Sequence, residues 1–395
     1  MRAAVPLQSR SFLGLYALAW AGVSVAYVPL LTLLIPARVT VLAGSDGVEW
    51  LAYLTFAGAV AASIAGIACG WFSDLTGERR FWVAGGLAGS TALLLAIPGA
   101  TSLPTLVALL VAWQVCLNAM LGPLAAWAGD TVPDAQKGTL GGLLAFAPAA
   151  GAAAGALVTW PGLASPEQRV GIVAALVVAC VLPIVLFGRP RAVLLAEPDS
   201  RPPAPVVRHR AVRMWLARLL VQVSEAALFA YFYMWFRGLD PAFDDAAAAR
   251  LIGAVLVVGA PLALLVGRMA DRRGIPIAPL RWSAGIAAIG LAIMGLGSPA
   301  TAIAGYVVFG LSTSVFLALH SSQTLRVLPR PDRRGRDLGV FNLTNTVPSL
   351  VVPWLTLALV PVFGFAALFL VLAVLAVLAL VLLQPGVMEE VRLKP

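Results

Sequence analysis

The sequence predicts an all-α integral membrane protein whose twelve transmembrane helices form two parallel-repeat six-helix bundles. Three observations carry this. Of the 395 residues, 61% are apolar and only 11% charged, about half of the ~25% charge that a water-facing domain carries. Apolar stretches recur along the whole chain, and since one crossing needs ~20 apolar residues, twelve use ~240 and leave room for short loops and one longer one. Finally, landmarks of the first half return in the second at an offset of 197 residues.

Read between charges and Pro/Gly clusters, the spans lie near 12–36, 50–70, 81–98, 103–128, 139–160, 169–188, 212–236, 248–267, 279–297, 300–325, 337–360 and 363–384. The first follows Arg2 and Arg10. Its apolar run is longer than a signal-peptide h-region and no small-residue cleavage pattern follows, so it reads as a retained span. The second and third are separated by the charged turn Gly70–Arg80, the fourth and fifth by Asp130–Thr139. The sixth gives way to 189–211, rich in Pro and Arg, which reads as a flexible linker dividing a bundle at 1–188 from one at 212–395. The seventh carries Arg218 and Glu225, the eighth ends at Gly267, and the tenth carries His320 ahead of a basic loop.

The charges set the orientation. With the N-terminus in the cytoplasm, 22 of the 27 Lys and Arg residues fall on the cytoplasmic side and four (Arg38, Arg169, Arg237 and Arg250) opposite, with Arg218 inside a span. That asymmetry satisfies the positive-inside rule with both termini cytoplasmic. The net charge of +9 thus belongs to topology and to contact with anionic membrane lipid, and no nucleic-acid partner is expected. The expected location is the cell membrane, the inner one in a Gram-negative cell, as a multi-pass protein.

The repeat is carried by named residues. Gly70-Trp-Phe-Ser-Asp74-Leu-Thr-Gly77-Glu-Arg79-Arg80 follows the second span, and Gly267-Arg-Met-Ala-Asp271-Arg272-Arg273-Gly274 follows the eighth. Pro133, Gly138 and Gly142 are echoed by Pro329, Gly335 and Gly339 at offsets of 196, 197 and 197. Both copies sit on one side of the membrane, as parallel repeats about an axis along its normal require. Glycines at 70 and 267 suit close approach of helix ends. Asp74 and Asp271 suit a latch to a helix N-terminus or an arginine, for which Arg79 and Arg80 can supply the counter-charges.

The Gly-x-x-x-Asp-x-x-Gly-x-Arg-Arg loop is similar to the signature of the major facilitator superfamily, and with the span count, central loop and repeat the resemblance covers essentially the whole chain. It implies two bundles rocking about a central cavity lined mainly by spans 1, 4, 7 and 10, with Gly70, Asp74, Arg79, Arg80, Asp130, Gly267, Asp271, Arg272 and Asn342 at the gate. Asp130-Thr-Val-Pro-Asp-Ala-Gln-Lys137-Gly138 and Leu328–Asn342 look like loops of the sucrose/proton symporter branch, related to the glycoside–pentoside–hexuronide:cation symporters, although Lys137 stands where that pattern usually has Arg. They imply a sugar or glycoside as solute. Ala147-Pro148-Ala-Ala-Gly151-Ala152 resembles the Gly-Pro-x-x-Gly-Gly element of drug/proton antiporters with Ala in place of two glycines, so export of amphiphilic compounds stands as the alternative.

Ionisable residues inside spans are functional candidates because they are costly to bury. Arg218, Gln222 and Glu225 share one helical face at i, i+4 and i+7. Glu225 lies ~20 Å past the start of its span at 1.5 Å per residue, near mid-membrane, a depth that suits a proton carrier; His320 is the second proton-coupling candidate. Gln114 and Asn118, one turn apart, with Gln222, Trp20 and Tyr27, are the candidates for binding a hydroxylated solute by amide hydrogen bonds and an aromatic platform.

Several classes drop out. Cys69, Cys116 and Cys180 lie in apolar runs and the only histidines are His209 and His320, so neither a disulfide framework nor a metal site is expected. Asp130–Thr139 lacks the Gly-rich lead-in of a phosphate loop, which removes ATP hydrolysis as the energy source. No nucleophile–base constellation suggests an enzyme and no cofactor is implied. The expected protein is a monomeric secondary active transporter, a symporter of protons with a small-molecule solute.

Overall fold

A computed structural model describes residues 7–133, 136, 140, 143–144, 146–191, 205–273, 275, 277–327 and 334–384, without the side chains of 205–211, 271 and 321–342. The chain separates into two compact units, one of Met1–Ala196 with Asp245–Gly253 and the other of Glu197–Asp244 with Ala254–Pro395. Their boundary in sequence, after Ala196, falls inside 189–211. No strand occurs among the described residues.

The first unit opens with α1 (Arg10–Pro29), whose N-cap Ser9 accepts the Phe12 N–H at 3.1 Å. It runs without a break through a π turn at Leu30–Leu34 into α2 (Ile35–Ala43). Pro36 has no N–H for the α-helical ladder, and the wider π turn just before it absorbs the missing bond. The first helix therefore outruns the expected 12–36, and Arg38 near its end donates to the Ala100 carbonyl at 2.7 Å. There follow α3 (Gly47–Thr76), α4 (Arg79–Ala96), α5 (Leu103–Thr131), α6 (Ala147–Val158) and α7 (Pro166–Phe187). Of the expected fifth span, 139–160, the continuous helix in the described residues is α6 alone. Entry to α7 is set by a capping box between Ser165 and Gln168 with Pro166 at the first helical position, three local signals that agree.

The second unit contains α8 (Pro205–Leu239), most of α9 (Asp245–Arg273), α10 (Ala278–Met294), α11 (Pro299–Val327) and α12 (Arg334–Leu382). The last is two spans joined at Gly364, where φ is +73° and ψ 178°, backbone closed to residues with a Cβ. That break separates the expected 337–360 from 363–384.

Eight described segments are long and apolar enough to cross a membrane; two of these, Arg10–Thr76 and Leu343–Leu382, each hold two crossings, and α6 and α10 are shorter apolar helices. All twelve expected spans thus have helical counterparts. In lipid, helices associate through close packing more than through hydrophobicity, and each unit shows it. A Cβ on Gly86 of α4 would stand 2.4 Å from the Met120 amide nitrogen of α5, and one on Gly290 of α10 would stand 2.6 Å from that of Phe309 in α11. Met214, Val221, Leu280, Phe316 and Leu383 form a buried core shared by α8, α10, α11 and α12.

Candidate functional site

Each unit gathers polar side chains of its own. In the first unit, α3 stops at Gly77, whose φ of +68° lets its N–H return to the Ser73 carbonyl at 3.1 Å. The turn into α4 is so short that Arg79 lands between the ends of α3 and α5. It pairs with Asp74 and with Asp130, the latter at 3.0 Å, and donates to the Ser73 hydroxyl. The Arg79 side chain is 14% exposed and the two carboxylates 60% and 52%, so a mostly covered guanidinium gathers two hydrated acids. Pairs this exposed add ~0–1 kcal/mol each, so the cluster positions three helix ends more than it stabilises them.

Arg80 does not join it. Its guanidinium donates to the carbonyls of Val185 and of Leu186, the second at 2.6 Å. These are the unpaired carbonyls at the negative end of α7. The expectation that both arginines serve as counter-charges for Asp74 is corrected: Arg79 does so, and Arg80 is drawn to a helix end that sequence spacing could not reveal.

A Cβ on Gly70 itself would meet nothing within 4 Å, yet its backbone lies where α5 comes close: a Cβ on Gly122 would stand 3.4 Å from the Gly66 carbonyl oxygen and 3.7 Å from the Gly70 nitrogen. Gly267 does sit tightly, 2.9 Å from Leu319 by the same measure. Arg272 is exposed at the end of α9, whereas the side chains of Asp271 and Asn342, and Lys137 altogether, lie outside the described residues.

Gln8 was invisible in the sequence, where a lone glutamine before a helix carries no pattern. It is 3% exposed. Its amide donates to the carbonyls of Thr131 (2.7 Å) and Arg191 (2.8 Å) and accepts the Arg191 N–H at 2.8 Å, tying the N-terminal segment to the end of α5 and the stretch after α7.

Within the spans of the first unit, Gln114 is buried with its side chain against Gly58 of α3, and Asn118 lies against Gly66. Asn118 Nδ2 donates to the Gln114 carbonyl at 2.9 Å. Both amides therefore occupy the seam between α5 and α3. Trp20 is partly exposed and stacks on Tyr16, 6.2 Å between centroids, and Tyr27 is also partly exposed.

The second unit holds a longer polar line. On α8, Arg218 donates from Nε to the Thr344 hydroxyl at 3.1 Å, and Gln222 Nε2 donates to Asn345 Oδ1 at 2.6 Å. Asn345 Oδ1 also lies 3.5 Å from an Arg218 nitrogen. Further along the same face, Glu225 is partly exposed and stands near Thr313 of α11, whose hydroxyl donates to the Gly310 carbonyl at 3.3 Å, with Tyr306 within electrostatic reach. Thr313, Tyr306 and Thr344 escaped the sequence reading because hydroxyls are common in membrane helices and carry no charge signal. His320 stands apart from Glu225: it is fully buried against Phe316 and donates from Nε2 to the Met214 carbonyl at 2.8 Å. A carbonyl only accepts, which sets the Nε2–H tautomer.

The family model of the Major Facilitator Superfamily matches residues 12–301 and 215–392. No curated protein matches the sequence. Among solved structures, a bacterial homologue of the human lysosomal transporter Spinster, in an inward-facing and unoccupied conformation, is similar with a TM-score of 0.73 at 15% identity, covering 98% of this chain and 100% of that one. The human organic anion transporter MFSD10 (TETRAN) gives 0.68 at 15% identity, covering 95% and 99%. A mutant of the nucleoside transporter NupG gives 0.68 at 12%, covering 94% and 98%. At these identities the likeness is one of fold.

Proposed function

The chain belongs to the major facilitator superfamily, and from that premise we propose that it imports a sugar or glycoside together with protons by alternating access, as a monomer with both termini in the cytoplasm. That it is a multi-pass membrane transporter of small-molecule solutes, and not an enzyme, follows from the family itself. The observation that carries the finer reading is the polar line on α8. Glu225 stands near Thr313, and one turn away Gln222 and Asn345 present amides.

In this reading Glu225 holds the coupling proton. A carboxylate at this depth in a membrane is costly to keep charged, so proton uptake from the outside readies the site for a neutral solute. Opening to the other side rehydrates the carboxylate, and the positive charge of Arg218, seven residues back, favours its deprotonation. Gln222 grips solute hydroxyls, with Trp20 and Tyr27 supplying aromatic surface in the first unit. Gln114 and Asn118 brace the α3–α5 wall, and His320 braces α11 on α8. The Asp74–Arg79–Asp130 cluster, with Gly267, Asp271, Arg272 and Asn342 in the second repeat, serves the gate.

Export of amphiphilic compounds is the second reading, favoured by the glycine packing of α6 on α1, where a Cβ on Gly151 would lie 2.7 Å from the Ser24 carbonyl. Proteoliposomes holding the full chain, given an inward or outward pH gradient and a panel of sugars, glycosides and amphiphilic cations, separate the two. Accumulation of a sugar with the proton gradient supports import; movement of an amphiphile against it supports export. No gradient-driven movement of either class would overturn the coupling.

A further inference from the structure

A groove runs between α4 and α7 in the first unit, away from the polar side chains described above. Its volume is about 420 Å3, and its walls include Ala84, Ala88 and Ala92 from α4 and Val178, Leu182 and Val185 from α7. The three alanines recur every four residues and so line one face of α4, which makes the surface concave where larger side chains would fill it. The lining on α4 extends from Ala84 to Leu95, ~16 Å at 1.5 Å per residue. That is about half of the ~30 Å hydrocarbon core, the depth of a single leaflet.

One end of the groove is charged. Val185 is both a wall residue and a hydrogen-bond partner of Arg80, whose exposed guanidinium caps the end of α7 through Val185 and Leu186. Those two bonds use two of five N–H donors, leaving a fork that suits a phosphate. Phe81 and Phe187 flank it, 73% and 68% exposed, and add apolar surface beside the guanidinium. By the distribution of Lys and Arg this end faces the cytoplasm.

We infer that the α4–α7 groove is a binding site for one anionic phospholipid of the cytoplasmic leaflet, with an acyl chain along Ala84, Ala88 and Ala92 and the headgroup phosphate on Arg80. Length and charge both point to this occupant. The groove matches one leaflet, and a basic pocket between membrane helices at that level selects acidic headgroups. Arg80 would then join the ends of α4 and α7 to the lipid, the headgroup adding to the contacts it makes with the carbonyls of Val185 and Leu186.

The test uses delipidated full-length protein in detergent, titrated with dioleoyl phosphatidylglycerol or dioleoyl phosphatidylcholine and read by native mass spectrometry. The first phosphatidylglycerol is expected to bind at least tenfold more tightly than the first phosphatidylcholine. Arg80→Gln should bring the two within twofold of each other, while Arg272→Gln, which removes an exposed arginine elsewhere, should leave the preference intact. Ala88→Phe should remove the tight site; Ala88→Leu, a smaller filling, should weaken it, and thermal unfolding of each variant confirms that it is folded. Equal binding of the two lipids by the unaltered protein, equal loss in the two arginine variants, or an unchanged tight site in folded Ala88→Phe and Ala88→Leu would each overturn the assignment.

Discussion

The two units are built from the same repeat, yet among the described side chains they place their polar groups differently. In the first, the charged network sits at helix ends, where Arg79 gathers Asp74 and Asp130, while the amides of Gln114 and Asn118 pack against glycines of α3. In the second, the polar side chains run inside the spans, from Arg218 through Gln222 to Glu225, and meet α11 and α12. A duplicated scaffold therefore does not imply duplicated chemistry. Helix packing constrains both copies alike, whereas ionisable side chains within spans are costly and need stand in only one of them.

The largest expected effect tests whether coupling resides in one unit. Glu225→Gln should abolish solute accumulation driven by a pH gradient while retaining exchange at equal pH, because the amide imitates the protonated acid permanently. Proteoliposome assays of both modes decide it, and retained accumulation would move the proton to His320 or Asp130.

The second effect asks how alike the two scaffolds are. Gly86→Ala and Gly290→Ala each push a Cβ to within 2.4 and 2.6 Å of a neighbouring backbone nitrogen, and overpacking of this kind costs about 1–3 kcal/mol or more. Both variants should unfold at clearly lower temperature in detergent. A loss in one only would mean that the repeats are not equally tight.

The third separates amides that grip from amides that pack. Gln222→Ala should weaken solute affinity by about 1–3 kcal/mol, the cost of a buried polar partner left unmet. Asn118→Ala, which alters an amide packed in the seam against Gly66 of α3, should leave affinity within threefold of the unaltered protein. Isothermal titration with the identified solute reads both, and a reversed order would return the site to α5.

The smallest effect concerns the charged cluster. Asp74→Asn should change stability by less than about 1 kcal/mol, since its pair with Arg79 is solvent-exposed on the carboxylate side. It should nevertheless slow transport severalfold if the cluster works as a gate. Thermal unfolding and initial uptake rate, measured on the same preparation, would show a surface charge without function if neither moved.

The span count, the two-fold repeat and the expected sidedness were legible in one dimension. Bilayer thickness imposes a length on every crossing, charge marks the segments between crossings, and the Gly70 and Gly267 motifs lie at a constant offset. The ionisable residues within spans were nameable too, because a carboxylate or guanidinium there is rare. Their partners were not. Arg79 and Arg80 are adjacent in sequence, yet one bonds to Asp74 and Asp130 and the other to Val185 and Leu186. Gln114 and Gln222 look alike on the page, yet one faces a glycine of α3 and the other the amide of Asn345. What separates them is the rotation of each helix about its axis. In a soluble protein the apolar stripe announces that rotation, but here lipid and protein core are equally apolar, so no stripe exists and close packing of small residues sets it.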